Sequence, residues 1–331
     1  TYFAQNGYKT MAVGKLLHRH IPEGSVDESG GRGDWDRLED DERLNWDTDR
    51  TKTDWGVYPY PEDEMSDPLA AKWAVERLQE DHDKPFMLMV GFLRPHVPWY
   101  VPQRWFDALG DPGDLHLPPY KPDDHDDLSD YVVASSIANG YPRTEWAIET
   151  GQWNDIVHAY LAAVHFVDHY VGQVLETLEH SPYADNTVVV LWSDHGYLLG
   201  EKNTFQKHNL WERSGKVPLI FAGPGVPAGE TRNQQAGLID IYPTLLELAG
   251  LPQNPARNNP VANPQRARLR QHLVLKAMRD QDVITAAQYE QALKETLRIN
   301  PKGQEFDVHA EYVAELARQA VYEQYKEESY S

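Results

Sequence analysis

Three near-continuous apolar runs stand out along the chain: Phe86-Met87-Leu88-Met89-Val90-Gly91-Phe92, Thr187-Val188-Val189-Val190-Leu191-Trp192 and Val217-Pro218-Leu219-Ile220-Phe221. Runs of this length without polar alternation predict strands buried on both faces. Over residues 153–179 the pattern changes, because Ile156, Tyr160, Val164, Val167, Val171, Val174 and Leu178 recur at spacings of three and four. That period predicts one long amphipathic helix. Shorter helices are predicted over residues 68–79 and 238–249, the second ended by Gly250. Strands alternating with helices predict an α/β sheet whose site lies at the carboxyl ends of its strands. Residues 22–64 are acidic and punctuated by Gly and Pro, which predicts long surface loops, and no internal repeat is visible.

Charge divides the chain in two. Residues 253–331 hold 11 basic and 11 acidic side chains, so residues 1–252 carry 20 against 41 and with them the whole net charge of -21. The first part is rich in Trp, Gly, Pro and His, whereas the second has no Trp and is written in helix formers. The boundary is expected near residues 251–259. A net charge of -21 argues against a nucleic-acid surface. No apolar run approaches the roughly 20 residues that span a bilayer. The absence of Cys excludes disulfides, thiolate metal sites and a cysteine nucleophile. It also leaves the compartment, bacterial periplasm or cytoplasm, open.

Four segments carry candidate chemistry. Ser193-Asp194-His195-Gly196 follows directly on the second apolar run, so a carboxylate and an imidazole stand at a strand's carboxyl end. A hard cation takes the Asp oxygens, and the His can fill a further position; the same residues also suit an ordinary turn. Gly14-Lys15-Leu16-Leu17-His18, Arg94-Pro95-His96-Val97-Pro98 and Gln206-Lys207-His208 each supply a cation or a proton donor. Taken singly these are ordinary solvated side chains. Together, Lys15, His18, His96, Lys207 and a metal held by Asp194 and His195 make a positive pocket in an acidic chain, and such a pocket suits a small oxyanion.

These segments also carry a resemblance. Residues 1–252 resemble the sulfatase family, and within it the iduronate-2-sulfatase group, through Gly7-Tyr8-Lys9-Thr10 running on to Gly14-Lys15-Leu16-Leu17-His18 and through residues 85–98. The match continues in Ser193-Asp194-His195-Gly196-Tyr197-Leu198-Leu199-Gly200-Glu201, Lys207-His208, Val217-Pro218-Leu219-Ile220 and Asp240-Ile241-Tyr242-Pro243-Thr244. The resemblance implies a truncated alkaline-phosphatase/sulfatase-like sheet flanked by helices. It implies a divalent cation, usually calcium (Ca2+), on Asp194 and His195. It implies that Lys15 and His18 hold the nucleophile and the sulfate, and that His96 and Lys207 contact sulfate oxygens and assist the leaving group. A sulfated small molecule or glycan is the implied partner.

The chain also departs from that family. Sulfatases attack with a formylglycine made from the Cys or Ser of a Cys/Ser-x-Pro-x-Arg motif and hold the metal with an early Asp-Asp pair. This chain has no Cys, and no Ser is followed by that pattern. Asp40-Asp41, Asp123-Asp124 and Asp126-Asp127 all come after the first motif. The nucleophile and half the metal shell are therefore expected upstream of Thr1, and the chain as given is expected to be inactive. The alternatives are a phosphoester or phosphonate hydrolase of the same superfamily and an inert binder. Residues 253–331 resemble the end of the glycosyltransferase lobe of class A penicillin-binding proteins, through Asn259-Pro260-Val261-Ala262-Asn263-Pro264-Gln265-Arg266-Ala267, residues 270–278, Ile284-Thr285-Ala286-Ala287-Gln288-Tyr289 and residues 310–325. An unrelated all-helical tail is implied, with helices opening at Asn263 or Pro264 and at Thr285. Leu248-Ala249-Gly250-Leu251-Pro252 satisfies both families, as a recombination or assembly join leaves it, so a chimera of two fragments is expected.

Overall fold

The structure is a computed structural model that describes residues 2–39, 42–46, 50–136, 140–250, 272, 275, 276, 279 and 285–294. The chain divides into two compact units, Thr1–Leu238 and Ile239–Ser331. In the first, strands β1 (Lys9–Gly14), β2 (Glu28–Ser29), β3 (Trp55–Val57), β4 (Phe86–Gly91), β5 (Trp99–Val101), β6 (Val189–Trp192) and β7 (Leu219–Ala222) accompany a set of helices. These are α1 (Tyr2–Gln5), α2 (Ser66–Leu78), α3 (Gln103–Asp107), α4 (Asp130–Ser136), α5 (Thr144–Glu149), α6 (Trp153–Glu179) and α7 (Glu212–Gly215). No helix among the described residues is long and apolar enough to cross a membrane.

The architecture is α/β, as expected, but the described strands form separate ladders: β2-β1-β4, β3-β5 and β6-β7. The first two ladders are parallel, and β6 pairs with β7 antiparallel. The apolar runs expected to be buried on both faces are not. Along β4 only Gly91 is fully buried, and β7 alternates between half-buried and exposed. β5 is buried throughout, and β1 is buried after Lys9, its Thr10, Met11, Ala12 and Val13 being 0–3% exposed. The polar start of β1 hid it from the hydrophobic pattern. Thr10 is accommodated because its amide and hydroxyl both donate to Asp27 Oδ2, at 2.8 and 2.7 Å, which lowers the Asp27 carboxyl below its usual range.

Helix α6 has the expected limits but a different buried face. Ile156, Ala159, Ala163, Phe166 and Tyr170 face the core, while Val164 is 37% exposed. The small alanines let α2 and α6 approach closely, with Ala71 and Met65 of the α2 segment in the same cluster. Trp55, Trp99, Trp105 and Phe205 complete it.

The stretch expected to form long surface loops is also more built than that. It contains β2 and β3 and buries Arg32, Asp36, Thr53 and Asp54. Its acids serve as internal acceptors. Asp54 receives the amides of Leu44, Asn45, Trp46 and Trp55 at 2.8–2.9 Å together with the Tyr100 hydroxyl. Asp36 receives the Ser66 amide at 3.1 Å and so caps the start of α2, whose own cap residue Met65 has no acceptor to offer.

The second unit contains α8 (Ile241–Gly250) and α9 (Ala286–Lys294). The latter opens at Thr285 as expected: the Thr285 amide donates to Gln288 Oε1 at 2.8 Å and the Gln288 amide to Thr285 Oγ1 at 3.2 Å, a reciprocal cap. The helices expected at residues 263–264 and 310–325 lie outside the described residues.

Ladder β1-β4 runs in register from Lys9 opposite Phe86 to Gly14 opposite Gly91. Gly14 has φ +79°, and a Cβ on it would lie 2.0 Å from the Gly91 carbonyl oxygen. Both the backbone conformation and the contact demand glycine. Gly14→Ala is therefore expected to cost about 2 kcal/mol or more in urea unfolding. A change below about 0.5 kcal/mol contradicts the close approach.

Candidate active site

Strand ends and one returning loop build the site. Lys15 leaves β1 through Gly14, and its amide donates to the Gly91 carbonyl at 2.6 Å. β4 ends opposite Gly14 and leads into Leu93–His96. There the Asp67 carboxylate, in the first turn of α2, receives the amides of Leu93 and Arg94, the latter at 3.0 Å. Asp67 is fully buried, and burial raises its carboxyl to about 6 against the pull of those amides and of Arg94. The buried Arg94 side chain donates to the Tyr100 carbonyl at 3.1 Å and lies 3.8 Å from Asp36 Oδ2. This network fixes the turn that carries His96, whose amide donates to the Leu93 carbonyl at 2.9 Å.

β6 leads directly into Ser193-Asp194-His195-Gly196. The Gly196 amide donates to the Ser214 carbonyl at 2.9 Å, and a Cβ on Gly196 would stand 1.8 Å from the Arg213 carbonyl oxygen. The chain then doubles back. Gly200 donates to Thr204 at 3.2 Å and Leu198 to Gln206 at 3.0 Å. That return places Lys207 Nζ 2.6 Å from His195 Nε2. Asp194 closes the group: its Oδ2 lies 3.8 Å from Lys15 Nζ and its Oδ1 3.5 Å from His195 Nε2.

The tautomers follow from carbonyls, which only accept. His96 Nδ1 lies 2.6 Å from the Val97 oxygen and His195 Nδ1 2.8 Å from the Gly196 oxygen. Each Nδ1 therefore carries the proton, each Nε2 presents a lone pair, and Lys207 donates to His195. Burial pushes His96 down to about 3, opposed by the Val97 hydrogen bond and assisted by the charges of Lys207, Lys15 and Arg37. Burial likewise lowers His195 and Lys207, with Asp194 opposing in both cases. The pocket thus holds two lysines, the carboxylate of Asp194 and two imidazoles whose charged forms burial disfavours. That set can bind a tetrahedral oxyanion and accept a proton at His96 Nε2. Ser193 Oγ donates to the His195 carbonyl at 2.7 Å, so this hydroxyl is not hydrogen-bonded to a base as an activated nucleophile would be.

Lys15, His96, Asp194, His195 and Lys207 are therefore brought together. His18 is exposed, and among the described residues Trp35 links it to them, its ring centre lying 5.5 Å from that of His18 and 5.0 Å from that of His96. Trp35 and its neighbours Arg32 and Arg37 are site residues that sequence reasoning missed. Their signal, one Trp among charged residues and glycines, reads as loop until the fold seats it beside His96. Asp36 and Asp67 are further supports with no sequence signal.

Three comparisons bear on this site. The sulfatase family model matches residues 1–251. The sulfatase of Formosa agariphila is 47% identical over 268 residues, covering 78% of this chain and 52% of that protein. Human iduronate 2-sulfatase is 27% identical over 76% of this chain and 54% of its own length. The chain spans about half the length of these curated relatives. A protein solved with its substrate D-glucosamine-2-N,6-O-disulfate shares the fold, with a TM-score of 0.53 at 20% identity over 75% of this chain and 60% of that one. With the family model matching most of its length, the chain belongs to the sulfatase family.

Proposed function

We propose that this chain carries the sulfate-holding half of an iduronate-2-sulfatase-like sulfuric ester hydrolase that acts on a sulfated small molecule or glycan. The observation that supports this reading is the convergence of Lys15 and Lys207 on Asp194 and His195, beside a neutral His96, at the carboxyl ends of β1, β4 and β6. Compact ammonium charges at a buried site match the charge that builds on sulfuryl oxygens. His96 offers Nε2 to the same group. Burial lowers His96 and the lysine charges add to it; an arriving anion counters those charges, so the imidazole takes a proton from water more readily and can pass it to a leaving alcohol oxygen.

Sulfatases are generally dependent on a divalent metal. Asp194 and His195 are the donors this chain would contribute. Two donors do not by themselves fit a hard cation such as Ca2+, which takes about six to eight ligands. No group of three His, Asp or Glu that could hold a metal occurs among the described residues, and both lysines lie against the pair. A complete shell needs donors from elsewhere, and no step of the reading passes through the metal. The resemblance of residues 253–331 to a penicillin-binding protein, and with it the chimera, rests on sequence alone.

The pocket without a nucleophile is expected to bind but not to turn over. Purified residues 1–331 should release no detectable fluorophore from 4-methylumbelliferyl sulfate, and hydrolysis that Lys207→Ala abolishes contradicts this. A second expectation concerns pH. His96 is lowered in the folded chain relative to about 6.5 in the unfolded one. The unfolded chain therefore binds the proton first, and the stability His96 contributes is intact above pH ~6.5 and is lost as pH falls toward about 3. In an NMR titration, His96 should stay neutral at pH 5 without anion, and saturating sulfate should raise its midpoint by about one unit or more. A midpoint near 6.5 in sulfate-free buffer contradicts the reading.

A further inference from the structure

Arg32 stands out among the buried polar side chains. It is 6% exposed, yet its Nε and Nη2 have no hydrogen-bond partner, and Nη1 reaches only the Gly33 carbonyl at 3.5 Å. A guanidinium cannot shed its charge, so burying its donors without an acceptor is costly unless an acceptor arrives. Its Cζ lies 3.8 Å from the centre of the Trp35 ring, and Cζ of the exposed Arg37 lies 4.6 Å from the same centre. Two like charges therefore stack on one indole. Neither forms an ion pair with any described residue, in a chain with 52 acidic side chains. The acids next to them in sequence have other partners: Asp36 with Ser66 and Arg94, and Asp34 with the Trp35 amide at 2.7 Å. Arg37, exposed at one side but packed against Trp35 on the other, is lowered by that partial burial and then by the charge of Arg32, with Asp34 opposing. The same Trp35 ring lies 5.0 Å from His96, so this uncompensated pair adjoins the sulfate pocket.

We propose that Arg32 and Arg37, presented on Trp35, form a second anion-binding position beside Lys15, His96 and Lys207, and that it takes a second anionic group of the sulfated substrate, a carboxylate or another sulfate ester. The inference deepens the sulfatase reading and rests on it for the first anion. Guanidinium forks engage two oxygens of either group. The pair thereby favours polyanionic sugars over sulfate esters of neutral alcohols.

Equilibrium dialysis of the full chain against radiolabelled inorganic sulfate tests this. Two sulfates per chain are expected. Arg32→Met and, at an exposed position where folding is not at stake, Arg37→Gln should each weaken one of them at least about tenfold and leave the other. Lys207→Ala should do the reverse. A single sulfate lost in Lys207→Ala and kept in both arginine variants overturns the proposal and leaves the sulfatase reading standing. A single sulfate lost only in the arginine variants keeps the arginine pair as an anion position but overturns the sulfate pocket and with it the assignment to a sulfated substrate, and no binding at all overturns both. Methyl glucuronide separates the sources: displacement of the arginine-dependent sulfate assigns a carboxylate, and its retention assigns a second sulfate ester.

Discussion

The approach of Gly14 to Gly91 is the constraint on which the site depends. Parallel pairing of β1 with β4 brings two strand ends to one level, and only glycine at both positions lets the Lys15 amide reach the Gly91 carbonyl at 2.6 Å. A side chain at Gly91 would stand 2.4 Å from the Lys15 carbonyl carbon. Lys15 therefore emerges in one direction, and the Leu93–His96 turn emerges beside it. The buried carboxylates of Asp36 and Asp67 then hold that turn by its amides and by Arg94.

Those carboxylates carry a cost that is itself informative. Burial raises both; the charge of Arg94 and the Ser66 hydrogen bonds at Asp36, and the Leu93 and Arg94 amides with the Arg94 charge at Asp67, only partly counter it. Charged groups persist in such places when they fix a geometry that apolar side chains cannot specify. Here the geometry fixed is the position of His96. The lysines follow the same rule: Lys207 sits partly buried on the His195 imidazole, where burial disfavours its cation, and in the proposed reading a bound anion offsets that. Recognition and the electrostatics of the free pocket are thus two sides of one arrangement.

Much of this was legible in the sequence, and the rest was hidden for physical reasons. Helix α6 was readable because a long 3.6-residue period survives any tertiary context, although its true buried face runs through Ala159 and Ala163, residues too small to register as hydrophobic anchors. β4, β6 and β7 were visible as apolar runs. β1 was not, since Lys9 and Thr10 open it and burial of Thr10 depends on Asp27, distant in sequence. Lys15, His96, Asp194, His195 and Lys207 were identified from local motifs that the fold brings together. Trp35, Arg32 and Asp36 were not, because they sit in an acidic, glycine-rich stretch whose roles arise only from contacts with α2 and His96.

The account's central claim is that these strand ends form one sulfate site. A crystal structure of the chain grown in sulfate tests it most directly. The account predicts a tetrahedral anion within hydrogen-bond distance of Lys15 Nζ, Lys207 Nζ and His96 Nε2, with Lys207 drawn off His195. Sulfate absent from that pocket at saturating concentration, with Lys207 still on His195, would contradict it.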